Sequence, residues 1–334
     1  MNIGVLGGGA WGTALASVMA QDGDQVTLWA RDEETVQSIN AHHRNDRHLP
    51  GIALPLSIAA TSAIEQALDA KIVLCVIPTQ SLGAVLPEIA RSLSSDATLI
   101  LCSKGIDCQT GLLPHQLAVR HIESQRVAAL SGPSFAHDVA NGLPTAVSLA
   151  AHDLAAAQQL CAALARPGFR IYASDDLLGV ELGGALKNVL ALAVGIARGL
   201  KLGASAEAAL IARGFAEMQR LAFALGARPE TLAGLSGLGD LVLTCSSTQS
   251  RNFTYGVALG EGSDVTTLKL AEGVHTAAMA LQLAQRSGVD TPIVETVCAV
   301  LDTTLTAREA VAQLLARPLK AEELMAADRS GETS

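Results

Sequence analysis

Aromatic residues are scarce in this chain: tryptophan, tyrosine and phenylalanine together make up 3% of its 334 residues. Alanine and leucine fill the space instead, which points to many tightly packed helices. Positive charge is also short, with 23 Lys and Arg against 32 Asp and Glu and a formal net charge of −9. No global basic field draws such a protein to nucleic acid or to an anionic membrane. An anionic ligand must therefore be met by a local basic cluster. The six cysteines, Cys75, Cys102, Cys108, Cys161, Cys245 and Cys298, form no C-x-x-C pair and no metal-ligand spacing. They read as small buried hydrophobes in a reducing compartment. The apolar run Val189–Ile196 is too short to span a bilayer, and strand-like sequence starts at Asn2, leaving no room for a signal peptide. Internal repeats, low-complexity linkers and heptad runs are missing as well. The expectation is a cytoplasmic protein without membrane insertion.

What is present is a 49% hydrophobic chain, long enough for two domains. In the first half, short apolar runs at Ile3–Leu6, Val26–Trp29, Ile72–Ile77, Thr98–Cys102, Val127–Leu130, Thr145–Leu149 and Phe169–Tyr172 read as strands. Helical patterns lie between several of them, such as Thr13–Gln21 and Gln80–Leu93. This alternation predicts an α/β, Rossmann-like parallel sheet covered on both faces. From Ser174 the pattern is helical almost throughout. Ser174-Asp175-Asp176 reads as the cap of a helix reaching Gly199, and Ser205 as the cap of one ending at Gly226. Further helical patterns cover Thr276–Ser287 and Ile293–Leu301, and Asp328–Ser334 reads as a frayed tail. The predicted division is a dinucleotide-binding domain over 1–173 and an all-α substrate-binding and catalytic domain over 174–330.

Gly7-x-Gly9-x-x-Gly12 follows the first strand and opens a helix. One glycine permits the tight turn, one lets the backbone approach a pyrophosphate, and one lets helix and strand pack closely. The helix N-terminus offers free N–H groups and a positive dipole end to phosphates. The second strand ends Leu28-Trp29-Ala30-Arg31-Asp32. Ala30 leaves room and Arg31 suits a 2′-phosphate, which favours NADP(H), while Asp32 leaves NAD(H) open.

Glu181-Leu-Gly-Gly-Ala-Leu-Lys187-Asn188 lies inside the long predicted helix. Gly183 and Gly184 are poor helix formers, so something must approach closely there. Lys187 has apolar neighbours in Leu186, Val189 and Leu190. Such surroundings disfavour its charged form and fit it for acid–base work near neutral pH. Lys104 follows a strand, on the side where open α/β sheets bind ligands, and a second ammonium there would depress Lys187 further. In Leu235–Cys245, Asp240 and Thr244 are four apart and share a helix face. Arg251, in Ser250-Arg-Asn252, offers a planar fork for a phosphate. His42, His43 and His48 sit in a polar loop, and a metal site there is set aside.

With these motifs in hand the chain resembles the bacterial NAD(P)-dependent sn-glycerol-3-phosphate dehydrogenases. The resemblance runs through Ser103-Lys104-Gly105, Ser131-Gly-Pro-Ser-Phe-Ala136, Leu182–Asn188, Gly237-Leu-Gly-Asp240, Gln249–Asn252, Ala271-Glu-Gly273 and Arg317-Pro-Leu-Lys320. It implies a homodimeric oxidoreductase that interconverts dihydroxyacetone phosphate and sn-glycerol 3-phosphate and supplies glycerophospholipid synthesis. Lys187 takes the family's proton-acceptor position, and Lys104 would contact cofactor and substrate. Gly132, Ser134, Asn188, Asp240, Thr244, Ser250, Arg251 and Asn252 would complete the substrate site. Gly7, Gly9, Ala10, Trp11, Gly12, Arg31, Ala136, Leu270 and Glu272 would serve the cofactor, with Arg251 touching it too. Many relatives carry further arginines where this chain reads Phe253-Thr254, which makes Arg251 the main phosphate anchor of that loop. Two alternatives differ in their blocks. Other two-domain hydroxyacid dehydrogenases and ketopantoate reductases space their Lys and Asn apart on the helix, and a non-catalytic dinucleotide-binding regulator needs none of Lys104, Lys187 and Asp240.

Overall fold

A computed structural model describes residues 1–21, 23–268 and 271–317. Its first half is an eight-stranded sheet of β1 (Asn2–Leu6), β2 (Gln25–Trp29), β3 (Ile58–Thr61), β4 (Ile72–Cys75), β5 (Thr98–Leu101), β6 (Val127–Ser131), β7 (Thr145–Ala150) and β8 (Phe169–Ser174). The spatial order is β3-β2-β1-β4-β5-β6-β7-β8. Helices α1 (Ala10–Met19), α2 (Glu33–His42), α3 (Ile64–Leu68), α4 (Thr79–Ser92), α5 (Pro114–Ala118), α6 (Ala136–Ala140) and α7 (Leu154–Leu164) connect and cover the strands. Two apolar clusters, one built on Ile3, Val5 and Leu28 and one on Leu6, Val73 and Leu99, fill the opposite faces. Residues 3 and 5 face one way and residue 6 the other, as the two-residue period of a strand requires.

The sheet departs from the sequence expectation in two ways. Strand β3 was not expected: Ile-Ala-Ala-Thr is only four residues long with two alanines at its centre, yet it pairs in register with β2 from Val26↔Ile58 to Trp29↔Thr61. Strand β7 is antiparallel to β6, and β8 then runs parallel to β7. The β6–β7 link contains only the short α6, which reverses the chain, whereas β7 to β8 is a full crossover through α7. Parallel neighbours need such a crossover and antiparallel ones do not.

The second half is helical: α8 (Leu177–Gly199), α9 (Ala204–Ala224), α10 (Pro229–Ala233), a π-helical turn at Leu235–Gly239, α11 (Asp240–Ser246), α12 (Arg251–Glu261), α13 (Glu272–Arg286), α14 (Pro292–Leu301) and α15 (Ala307–Leu315). Asp176 caps α8, its carboxylate accepting from Gly179 N at 2.8 Å. Helix α9 begins one residue ahead of Ser205, with Gly203 as its N-cap and no side-chain cap bond. Helix α13 starts at Glu272, a full turn earlier than its periodicity suggested. Helix α8 is 23 residues long and apolar enough to cross a membrane by length and composition, well beyond the short run Val189–Ile196, but 89% of its apolar window is buried inside the protein. A helix apolar all round is a core helix when other elements surround it. Helices α9, α11, α12, α13 and α14 do so here. The core of this half, built on Leu186, Val189, Leu190 and Phe253, also takes in Ile106 and Leu113 from the sheet half.

Candidate active site

The polar centre of the molecule stands on α8. Lys187 is 6% exposed. Its Nζ donates to Asp240 Oδ1 at 2.5 Å and to Thr244 Oγ1 at 2.8 Å. Lys104 Nζ reaches the other carboxylate oxygen, Asp240 Oδ2, at 2.7 Å, and the Gly132 carbonyl at 3.1 Å. Ser134 Oγ donates to that same carbonyl at 3.0 Å. Two ammoniums from different halves of the chain thus share one carboxylate that is 1% exposed. The four-residue spacing of Asp240 and Thr244 places both on one face of α11, with Thr244 Oγ1 3.3 Å from Asp240 Oδ1.

The charges follow from this geometry. Burial pushes the Lys187 ammonium down to about 8, and the Lys104 charge adds to the fall, while Asp240 opposes it. Burial alone would raise the Asp240 carboxyl. The charges and hydrogen bonds of Lys104 and Lys187 outweigh it and hold the group below the usual carboxylate range. Glu272, at the start of α13, is raised by burial, with Arg251, Lys104 and Lys187 near enough to pull the other way.

The paired glycines of α8 receive what the sequence left unnamed. A Cβ on Gly183 would lie 2.6 Å from the Ser236 carbonyl oxygen, in the π-helical turn that leads into Asp240. One on Gly184 would lie 2.6 Å from Ser131 Oγ and 3.2 Å from the Lys104 stem. The gap in α8 therefore admits both the turn that presents the carboxylate and the side chain that shares it. Ser103 and Ser131, after β5 and at the end of β6, carry buried hydroxyls without a hydrogen-bond partner among the described residues.

Asn188, Asn252 and Gly273 form a second polar group beside the first. Asn252 Nδ2 donates to Asn188 Oδ1 and Gly273 N donates to Asn252 Oδ1, both at 2.8 Å. Arg251 is exposed at the first turn of α12. Ser250 caps that helix, its Oγ accepting from Phe253 N at 3.2 Å. Phe253 is 1% exposed and belongs to the core.

The glycine-rich turn lies at the crevice between β1 and β4, where the strand order reverses and open α/β sheets bind ligands. It fits a dinucleotide pyrophosphate. Gly7 has φ +126, which makes the turn, and a Cβ on Gly12 would lie 1.9 Å from the Gly7 carbonyl oxygen. Gly9, the N-cap of α1, faces open space, with nothing within 4 Å of an added Cβ. Ala10 and Trp11 are half-buried in the first turn of α1, Ala136 is half-buried at the start of α6, and Arg31 is exposed after β2. Leu270 and the stretch beyond Arg317, Lys320 included, lie outside the described residues.

Asp32 is not idle. Its Oδ2 accepts from Thr35 N at 3.0 Å, Thr35 Oγ1 at 2.6 Å and Arg47 Nη1 at 2.8 Å. The loop carrying Arg47, read from sequence as mere polar surface, is stapled to the glycine turn: Asn45 Nδ2 donates to the Gly8 carbonyl at 2.9 Å and to Thr13 Oγ1 at 2.7 Å. Sequence reasoning missed Asn45, and nothing in its local pattern marks a contact across 37 residues.

Comparison with known proteins agrees with this arrangement. The family model described as NAD-dependent glycerol-3-phosphate dehydrogenase N-terminus matches residues 2–157, and the corresponding C-terminus model matches 176–312. A glycerol-3-phosphate dehydrogenase [NAD(P)+] of Mesorhizobium japonicum is 54% identical over 95% of this chain and 93% of its own. One of Brucella canis is 52% identical over 96% and 99%. The crystal structure of glycerol-3-phosphate dehydrogenase from Coxiella burnetii superposes with a TM-score of 0.89 at 38% identity, covering 95% of this chain and 99% of that one. With both family halves matched and a buried Lys–Asp–Lys cluster where the sheet half meets α8, the chain belongs to the NAD-dependent glycerol-3-phosphate dehydrogenase family.

Proposed function

We propose that this enzyme reduces dihydroxyacetone phosphate to sn-glycerol 3-phosphate at the Lys187–Asp240–Lys104 cluster, with NADPH preferred over NADH. When bound, the nicotinamide supplies or accepts the hydride. Lys187 Nζ gives a proton to the substrate oxygen as it becomes an alkoxide and takes it back in the reverse direction. The ammonium of Lys104 stabilises the same developing negative charge in a water-poor setting. Asp240 touches both ammoniums, holding them in place and keeping Lys187 from losing its proton too early. Gly132, Ser134 and Thr244 shape the pocket around them, and Asn188 is the nearest neutral donor along α8. Arg251 and Ser250, at the positive end of α12, meet the substrate phosphate with Asn252 beside them.

The cofactor lies along Gly7, Gly9, Ala10, Trp11 and Gly12, with Ala136 and Glu272 as further contacts, and Leu270 is assigned to it by family resemblance alone. The NADPH preference is supported by Asp32. Its Oδ2 is committed to Thr35 and Arg47, which leaves only Oδ1 for a ribose 2′-hydroxyl, and Arg31 and Arg47 set positive charge beside it. In this reading residues 1–173 hold the cofactor and 174–330 the substrate. The active form is a homodimer working in the cytoplasm.

The observation that carries the proposal is one carboxylate shared by two lysines, one of them buried with its ammonium pulled down to about 8. The test is to follow NADPH oxidation with dihydroxyacetone phosphate, with ketopantoate and with no substrate, and to repeat it with NADH. Turnover with ketopantoate alone would overturn the substrate, and a lower KM for NADH than for NADPH the cofactor preference. Lys187→Ala should lower kcat by about 10²–10⁴-fold with cofactor affinity kept, and near-normal turnover would remove Lys187 from the chemistry. Arg251→Ala should chiefly raise KM for dihydroxyacetone phosphate.

A further inference from the structure

We propose that Asn252 is a positioning residue: its amide decides which end of the Asn188 side chain is free to meet the substrate. This rests on the reading of the site given above. The logic starts from a backbone group that has no choice. The Gly273 N–H can only donate, so Asn252 must turn its carbonyl oxygen to it, at 2.8 Å. The Asn252 amino group then faces Asn188, at 2.8 Å. Asn188 must answer with its own carbonyl oxygen. Its amino group is left over, without an acceptor among the described residues, one position along α8 from Lys187. One N–H at the start of α13 thereby fixes the orientation of two amides, and the last of them presents a donor.

The relay has little freedom to move. Asn188 and Asn252 are 4% and 8% exposed. A Cβ on Gly273 would lie 2.5 Å from the Asn188 carbonyl oxygen and 3.0 Å from Asn252 Oδ1, so α13 begins in direct contact with both. Helix α12 is held equally close to α8. A Cβ on Gly195 would lie 2.2 Å from the Phe253 carbonyl oxygen, and one on Gly256 2.3 Å from the Leu192 carbonyl oxygen. Backbone thus packs on backbone just beyond Asn252. Each relay member also adjoins a charged residue of the site: Asn188 follows Lys187, Asn252 follows Arg251, and Gly273 follows Glu272. The amides therefore tie three charged positions from three helices into one fixed frame.

The test is a double-mutant cycle read by kinetics. In Asn252→Asp the carboxylate still accepts from Gly273 N–H but can no longer donate. Asn188 must then turn its amino group to it and show the substrate a carbonyl oxygen. The kcat/KM for dihydroxyacetone phosphate should fall about tenfold to hundredfold, the loss of a donor from a polar site, with KM for NADPH within about twofold of wild type. Asn188→Asp keeps both relay bonds but removes the free donor and adds a carboxylate beside Lys187, so it should show at least the same loss. In an Asn188→Ala background Asn252→Asp should cost less than about twofold. Additive losses would overturn the proposal and make Asn252 a direct substrate ligand. Wild-type kcat/KM in Asn188→Asp would overturn it equally, and since that variant preserves the relay bonds the result does not depend on Asn252→Asp folding well. Failure of the wild-type enzyme to reduce dihydroxyacetone phosphate would instead sink the functional reading on which the relay depends.

Discussion

Replacing Asp240 by asparagine probes the electrostatic centre of the site. Asparagine keeps the size and one acceptor oxygen but removes the charge. Two influences that depress Lys187, its burial and the Lys104 ammonium, remain in the variant, and the attraction that opposed them is gone. Coulomb's law at an effective dielectric of about 20 gives about 4 kcal/mol for unit charges about 4 Å apart. One pH unit corresponds to about 1.4 kcal/mol. Water entry and side-chain relaxation absorb part of this, so Lys187 should titrate about one to three units below its wild-type value. The sign in each direction follows from which form of Lys187 reacts. With Lys187 as the proposed acid and base, oxidation of glycerol 3-phosphate needs the neutral amine, so its kcat/KM should rise with pH through the Lys187 titration, near about 8 in the wild type. Reduction needs the ammonium and falls with pH through the same point. In Asp240→Asn both inflections should move to lower pH together, so the reductive direction loses most at neutral pH. The assay is initial rates in both directions from weakly acid to alkaline pH, with melting curves to confirm folding. An unmoved or raised inflection in the variant would refute the idea that Asp240 sets the charge of Lys187.

Three other perturbations separate cofactor choice, stability and presentation of the carboxylate. Arg47→Ala removes one of the donors that occupy Asp32 and one cation beside the expected 2′-phosphate. KM for NADPH should rise about three- to tenfold while KM for NADH stays level or falls, the size expected for a partly exposed charge-assisted contact; equal effects on both cofactors would place Arg47 away from the 2′ position. Glu217 is buried, accepts from Ile293 N at 3.0 Å, and burial pushes its carboxyl up to about 7 from 4.5. The folded state then binds more protons than the unfolded one between those values, so this group's contribution to stability falls as pH rises from about 4.5 to 7. Glu217→Gln should therefore gain up to about 3 kcal/mol over wild type above neutral pH, seen as a Tm higher by a few degrees, and lose that advantage in acid; a pH-independent difference would contradict it. Gly183→Ala drives a methyl group against the Ser236 carbonyl oxygen and should shift the turn that carries Asp240. A marked fall in kcat with NADPH binding retained is expected, and an unaltered kcat would show that the turn yields without moving the carboxylate.

The residues differ in how far their roles could be read before the fold was known. Gly7, Gly9 and Gly12 are local devices, a turn and a helix start within six residues, and such features are visible in sequence because chain neighbours decide them. The burial of Lys187 was legible for another reason. A lysine with apolar residues on every side of a helix is either misplaced or functional. The pairing of Lys104 with Asp240 was out of reach, since 136 residues separate them and only the packing of the Ser236 turn into the Gly183 gap brings them together. The resemblance named both residues but not their shared carboxylate. The role of Asn45 and the antiparallel turn of β7 were unreadable on the same ground, because each depends on partners that no local periodicity encodes. The reading of Phe253-Thr254 also gains a structural side. Phe253 anchors α12 in the core and supports Arg198 over its ring at 5.5 Å, so its apolar character serves the helix that presents Arg251.

The charge deficit of the whole chain and the charge of the site now fit together. Lys104, Lys187 and Arg251 bring three positive charges, and Asp240, held ionised by its two lysines, removes one. The remainder is close to the charge of a phosphate monoester, whose second ionisation lies near pH 6. Glu272 would erase part of that surplus when ionised; burial raises its carboxyl, and Arg251, Lys104 and Lys187 pull it back down. A bound phosphodianion would relieve the mutual repulsion of the lysines and Arg251 and favour the charged form of Lys187, which is the form that gives up a proton in reduction. A substrate lacking the phosphate would leave Lys187 more easily deprotonated. Selectivity for a phosphorylated ketone would then be expressed in the protonation of the acid as well as in binding. Dihydroxyacetone without phosphate should consequently lose kcat as well as raise KM, and its reduction should fall off at a lower pH. A pure KM effect, with an unshifted pH profile, would separate phosphate recognition from the proton donor and refute the coupling.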